Sequence, residues 1–439
     1  MATERKTLTQ LSVPICLETL FYMLSGMVDT LMLSSVSDQA VGAVGTANTY
    51  IGVFIIMFGV ISSGMVAVMS QNIGAGKPGI AYQARQLGLV FNALTGILMS
   101  FILAAFSGWI LKIVSIAPAL LEPAETYLKI VGGASFLNAL IPIFSSYLRV
   151  FGYTKHSLIG TVVGNVINII LNSVFLFVFH WGVMGVATAT VISKVVNLII
   201  VAAMGAVLIK AKQSPERAQP RRILAQIVKI GFPSAFETAL YNVAMTFIVC
   251  FMNHMDTDGM NVTARSYAMQ IANFSYCVGA ALAQANAIMT GWRIGAKKYE
   301  ECDRGTRKAV IYGLVTATCF SVTFAITGRF IVHIFTNDIQ MIELVVKLLV
   351  VDIFLEFGRV TNLVYGQALK TSGDAIFPVI MGAIFMYLFA VGGTYFLGIH
   401  MGLLAVGAYI AMAGDECARA VGMVIRWKSG KWKSKSLVE

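Results

Sequence analysis

Twelve apolar stretches, each about 20 residues long and so able to cross a hydrocarbon core about 30 Å thick, follow one another almost without interruption. They lie near 12–35, 43–70, 86–110, 126–149, 157–180, 183–209, 230–253, 262–291, 309–334, 341–368, 375–398 and 402–426. A chain of 439 residues that is 57% hydrophobic and only 12% charged cannot bury so much apolar surface in one water-facing core. Lipid is therefore the solvent for most side chains, and the expected fold is an all-α membrane protein of twelve transmembrane helices. The first stretch is read as a retained helix rather than a secretory leader. It is long, contains Glu18 and Asp29, and leads straight into further spans without a small-residue cleavage site.

Lys and Arg gather in short cytoplasmic loops, so their distribution gives the orientation. Counted near alternate helix ends, about 24 fall on one side and about 5 on the other. The rich side carries Arg5 and Lys6, Lys77 and Arg85, Arg149 and Lys155, segment 210–229, loop 293–308, Lys370 and the tail. Both termini are then expected in the cytoplasm, with the chain in the cytoplasmic (inner) membrane. The net charge of +11 follows from the same rule and from attraction to anionic headgroups, so it gives no argument for nucleic acid.

Slid against itself by roughly 220 residues, the chain repeats. Pro14, Glu18 and Thr19 meet Pro233, Glu237 and Thr238; Ile73-Gly74-Ala75 meets Ile294-Gly295-Ala296; Phe136-Leu137 meets Phe354-Leu355; and His180 with Gly182 meets His400 with Gly402. Each half has six spans and starts on the same side, the parallel-repeat arrangement of some secondary transporters, in which substrate lies between rocking lobes. The expected organisation is two six-helix lobes, 8–209 and 230–427, joined by a basic cytoplasmic linker, 210–229, and followed by a basic tail, 428–439. A static scaffold built by the same duplication is the plainer alternative.

A charge at the centre of a membrane helix costs about 2.5–3.5 kcal/mol even on lenient scales, so ionisable residues there need a reason. Glu18 and Asp29 are close to three helical turns apart and project from one face of span 1. Span 5 offers Asn168 and Asn172; span 6 offers Thr188, Thr190 and Lys194. If spans 1, 5 and 6 pack together, these groups surround a small polar chamber of oxygens suited to a hard cation or a proton and unsuited to zinc. Helix-to-helix hydrogen bonding is the competing use for the amides and hydroxyls. In the second half, Glu237 stands in span 7. Asp352, Glu356 and Arg359 share a face of span 10, while Asp415, Glu416 and Arg419 lie in span 12. Two ionic stripes are expected to meet between spans 10 and 12, either as titratable groups or as a network that fixes packing.

Other chemistry finds no support in the sequence. Gly74-Ala75-Gly76-Lys77-Pro78 lacks the spacing of a phosphate loop, so no nucleotide is expected, and neither H-E-x-x-H nor G-x-S-x-G occurs. The six cysteines show no C-x-x-C spacing and read as small core residues, so no metal site and no enzyme activity are expected.

With these features in place the chain resembles the multidrug and toxic compound extrusion (MATE) family of efflux transporters, prokaryotic type. The resemblance rests on Val28-Asp29-Thr30, Ile73-Gly74-Ala75-Gly76, the stretch Gly182 to Thr190, Ile294-Gly295-Ala296-Lys297, Glu356-Phe357-Gly358-Arg359 and Gly373-Asp374, in this order. It implies two six-helix lobes that rock to export amphipathic, often cationic small molecules in exchange for H⁺ or Na⁺, with no other cofactor. It also implies an N-lobe cation site of Asp29, Asn168, Asn172 and Thr190. Asn172 stands where many relatives have Asp, which weakens a Na⁺ site. Lys194 adds a positive charge nearby, for which pairing with Asp29 or Glu18 is an expectation. A flippase for lipids or lipid-linked oligosaccharides, of the same superfamily, is the runner-up, and a membrane-embedded enzyme or receptor the remote alternative.

Overall fold

The computed structural model describes residues 6–113, 116–256 and 259–438, so Arg5 lies outside the described residues. Fourteen α-helices are present among them: α1 Leu8–Ser34, α2 Asp38–Gly74, α3 Pro78–Ala105, α4 Ser107–Ile113, α5 Pro118–Tyr127, α6 Phe136–Val150, α7 Thr154–Ser173, α8 Gly182–Leu208, α9 Pro220–Asn253, α10 Met260–Gly295, α11 Tyr299–His333, α12 Ile339–Ser372, α13 Ile376–Phe385 and α14 Leu404–Lys428. The short α4 follows α3 directly, and α5 with α6 forms one rod bent by 42°. Twelve rods result, in agreement with the twelve apolar stretches. Their outward faces are apolar, with Leu31, Phe101, Val207, Ile326 and Phe330 exposed, as lipid-facing helices require.

Local chemistry sets several of the helix ends. Ser37 accepts a hydrogen bond from the Ala40 amide at 3.0 Å and caps α2, and Asp338 does the same for α12 through Gln340 at 2.9 Å. Pro78, Pro118 and Pro220 each occupy a first helical position, where the missing amide proton is no loss. Pro220 starts α9 ten residues before the apolar stretch expected at 230, so the second part of the 210–229 segment is helical. Pro233 consequently sits well inside α9 rather than in its first turn.

The chain divides into two compact units. Unit 1 comprises Met1–Lys6 and Leu17–Gly231, and unit 2 comprises Thr7–Cys16 and Phe232–Glu439. In unit 1, α2 packs on α3 and α5, α3 on α6, and α8 on both α6 and α7. The Gln83 side chain clamps the segment before α9, donating to the Ala218 carbonyl at 2.8 Å and accepting from its amide at 3.1 Å. The opening turns of α9 then run against α2 almost backbone to backbone. A Cβ on Gly231 would lie 1.7 Å from the Val60 carbonyl oxygen, and one on Gly64 would lie 2.0 Å from that of Ile227. Gly231→Val is expected to destabilise the protein by more than the about 1–3 kcal/mol of ordinary overpacking, because the clash is with main chain that cannot rotate away. The check is the yield of monodisperse protein and its melting temperature. A variant as stable as the parent would refute the close approach.

In unit 2, α12 is the central rod and packs on α10, α11 and α14. Eight of the described helices are long and apolar enough to cross a membrane, or nine with the bent pair counted as one span. The three further long rods, α10, α12 and α14, carry charge, and they pack on one another. Buried polar residues, not a lack of length, lower their hydropathy.

Candidate functional site

In unit 1, polar side chains tie α1 to α7 and α8. Glu18 is buried and ion-pairs with Arg149 of α6 at 2.8 Å, while Ser157 and Thr161 of α7 donate to it at 3.1 and 3.3 Å. Asn165 donates to the Phe21 carbonyl at 2.8 Å, and Asn197 of α8 donates to the Tyr22 hydroxyl at 3.5 Å. Asp29, half-buried, accepts from the Asn172 amide at 2.6 Å, and the same amide reaches the Asn168 carbonyl oxygen at 3.3 Å. The Asn172 side-chain oxygen is buried without a partner. Immediately after this pair α7 widens into a π-helical turn, Val174–Val178.

The expected proximity of spans 1, 5 and 6 is therefore present, with Glu18 and Asp29 both facing α7. Thr188 and Thr190 instead donate to carbonyls of their own helix, those of Met184 and Val186. Lys194 lies within electrostatic reach of Asp29 but forms no ion pair among the described residues. Its ammonium donates to Asn138 of α6 at 2.9 Å, and Glu18 is taken by Arg149. The expected Lys194 pairing with Asp29 or Glu18 is absent from this conformation.

Unit 2 holds a cavity of about 420 Å³ between α9, α10, α12, α13 and α14. Glu237, Asp352, Arg359, Glu416 and Arg419 line it, together with Arg265 and Lys370. The two ionic stripes meet as expected. Arg359 pairs with Glu356 one turn away on α12 and approaches Glu416 of α14 at 3.6 Å. Arg419 binds Asp415 at 2.6 Å and Glu416 at 3.0 Å, and Asn362 donates to Glu416 at 2.9 Å. Glu237 pairs with Lys370 at 2.5 Å. Asp352 is buried and forms no ion pair among the described residues.

Three cations have contacts that the sequence does not reveal. Arg149 and Lys370 count as cytoplasmic loop charges by the positive-inside rule, yet each is the partner of a buried or half-buried glutamate. The two pairs are equivalent under the internal repeat. Glu18 and Glu237 align, and Arg149 and Lys370 each stand three residues before a left-handed glycine, Gly152 with φ 84° and Gly373 with φ 100°. That glycine spacing was the available signal. Arg265, early in α10, reads as a helix-end charge but lies buried against the cavity.

The architecture agrees with known proteins. The MatE family model matches residues 14–174 and again 233–396, one copy in each half. The uncharacterized transporter YisQ of Bacillus subtilis is 32% identical over 99% of this chain and 97% of its own length. The probable multidrug resistance protein NorM of Thermotoga maritima is 25% identical, over 99% of this chain and 94% of its own. A crystal structure of the Vibrio cholerae MATE transporter VcmN, in a mutant form, shares the fold with a TM-score of 0.88 at 19% identity, covering 97% of this chain and 98% of that one. A duplicated family match over most of the chain leaves one assignment: this chain belongs to the MatE family of multi-pass membrane transporters of the multidrug efflux type.

Proposed function

We propose that the chain is a secondary active antiporter that exports amphipathic organic compounds bearing positive charge, in exchange for protons, by alternating access. It acts in the cytoplasmic membrane with both termini in the cytoplasm, as the distribution of Lys and Arg requires. The observation that carries this reading is Asp29, a carboxylate inside a helical bundle whose hydrogen-bond partner is a neutral amide rather than a cation. Such a group can take up and release a cation without first breaking an ion pair. A proton suits it better than Na⁺. Hard metal cations collect several oxygens, whereas here the Asn172 amide points its N–H toward Asp29 and toward Asn168, and Thr190 is turned to its own helix.

Exchange of one proton for one monovalent cation moves no net charge, so the membrane potential, about 2.3 kcal/mol per charge per 100 mV, would not drive it. A second coupling ion needs a carboxylate in unit 2. Glu237 and Glu356 are held by Lys370 and Arg359, which leaves Asp352, a carboxylate with no ion pair among the described residues. The lipid flippase reading wants a surplus of positive charge around the cavity. Three of the four cations lining it, Arg359, Lys370 and Arg419, are matched by carboxylates.

Proteoliposomes loaded with ethidium test the proposal. An imposed pH gradient is expected to drive ethidium movement, and an imposed Na⁺ gradient at equal pH is expected not to. Movement driven by Na⁺ alone would replace the proton with Na⁺, and movement driven by neither would remove the antiport reading.

A further inference from the structure

The basic tail is folded back onto unit 2. Gly430, in the left-handed region at φ 68°, turns the chain after α14, and a 3-10 turn at Lys431–Lys435 follows. Two tryptophans hold it in place. Trp432 is 1% exposed and stacks on Trp427 with ring centroids 4.2 Å apart and planes 11° off parallel, while its indole N–H donates to the Trp427 carbonyl at 2.9 Å. The Trp427 indole in turn donates to Asp303 of α11 at 2.9 Å, so these contacts join the tail, the end of α14 and the start of α11. Between them lies a pocket of about 340 Å³, lined by four cations, Arg304, Arg307, Lys428 and Lys433, against two carboxylates, Glu300 and Asp303. Arg307 binds Asp303. Arg304 and Lys428 form no ion pair among the described residues, and the Lys433 ammonium stands 5.9 Å from the centre of the Trp432 ring.

Folding a basic tail onto a basic helix end sets like charges against one another, a repulsion that an anion between them turns into attraction. Arginine forks match the paired oxygens of a phosphate, and the lysines add point charge. The surface beside the pocket says what carries that phosphate. On α14, Lys428 continues an exposed apolar stripe of Val421 and Ile425, and on α11, Arg304 and Arg307 continue another of Ile311 and Val315. Each stripe is a lipid-facing wall that begins within two helical turns of the pocket. The cations therefore stand at headgroup depth, on the side of the membrane where Lys and Arg gather. A soluble phosphate gains nothing from such walls, whereas an acyl chain does. We propose that this pocket binds the phosphodiester of an anionic phospholipid of the cytoplasmic leaflet, with the acyl chains beside α11 or α14. It is a place for one lipid, distinct from the diffuse attraction of a basic surface to anionic headgroups. Such a site requires only that the chain spans a bilayer, so it stands or falls apart from antiport.

Native mass spectrometry of the full chain, released from a neutral detergent, reads the affinity of individual lipids. The first phosphatidylglycerol is expected to bind about tenfold more tightly than the first phosphatidylcholine with the same acyl chains. Arg304→Gln combined with Lys433→Gln should lower the phosphatidylglycerol affinity by about tenfold or more and leave that for phosphatidylcholine as it is. Lys308→Gln combined with Lys431→Gln removes the same charge from exposed positions outside the pocket and should keep the parent's affinities. Equal affinity for the two lipids, or an equal loss in both double variants, would reduce the effect to general charge and overturn the site. Both variants should melt with the parent in lipid-free detergent, since neither Arg304 nor Lys433 has an ion pair to lose among the described residues. A fall in the first variant alone would show a structural role and overturn the proposal as well. Glycerophosphoglycerol, the same headgroup without chains, is expected not to displace phosphatidylglycerol at equal concentration. Displacement would make the ligand a soluble phosphate and overturn its assignment to lipid.

Discussion

Asp29→Asn is expected to reduce gradient-driven export to the level of protein-free liposomes while leaving the melting temperature within a degree or two of the parent. The side chain keeps its size, and an amide oxygen at this position can still accept the Asn172 hydrogen bond that joins α1 to α7. What disappears is the ability to alternate between a charged and a neutral state, and with it the step by which an inward proton is exchanged for outward cargo. Lys194 would lose the carboxylate within its electrostatic reach and keep its hydrogen bond to Asn138. Measured in parallel, Glu18→Gln should behave differently. It replaces the carboxylate bound by half-buried Arg149 with a neutral amide, so its first effect is on stability. If Asp29→Asn transports normally under an imposed pH gradient, the coupling site lies elsewhere. If it fails by unfolding, Asp29 is a packing residue.

The contrast between these two carboxylates shows how far sequence carries. Their shared helix face follows from an eleven-residue spacing, and both do meet α7. What each one meets depends on which residues of other helices arrive at the same depth, and no periodicity encodes that. Arg149 and Lys370 were hidden for a specific reason. The positive-inside rule assigns a Lys or Arg near a helix end to the loop, but long basic side chains can turn back along the helix and reach a carboxylate within the bundle. The repeat aligned the glutamates at once, because each keeps the same place after a proline. It did not align their partners, since one is Arg and the other Lys. The linker segment differs from its expected form only in its second part, which is helical. Segment 210–229 is polar and basic and reads as loop, although Pro220 at a helix start was visible, and α9 is held from its first turns by contact with α2. The ionic stripes of α12 and α14 were legible because spacings of three, four and seven fix a helix face regardless of the tertiary partner.

Arg359→Met should be among the most destabilising single changes available to unit 2. Five charged groups meet between α12 and α14, two positive and three negative, and Arg359 is the cation for both Glu356 and Glu416. Glu356 is fully buried, and without Arg359 it retains a long hydrogen bond from Ser275 at 3.5 Å. Breaking one member of a buried ion pair costs about 3–5 kcal/mol, because the remaining charge stays desolvated and unpaired. The expected result is a clear fall in melting temperature and in the yield of folded protein. Adding Glu356→Gln to the same chain removes the stranded carboxylate and returns the cluster to its original excess of a single negative charge. Most of the lost stability should come back, which a merely steric effect of methionine would not allow. Arg359→Lys should fall between the two, keeping the charge while giving up the fork that lets one side chain serve two carboxylates. A double variant no more stable than Arg359→Met would mean that shape, and not charge, holds these two helices together.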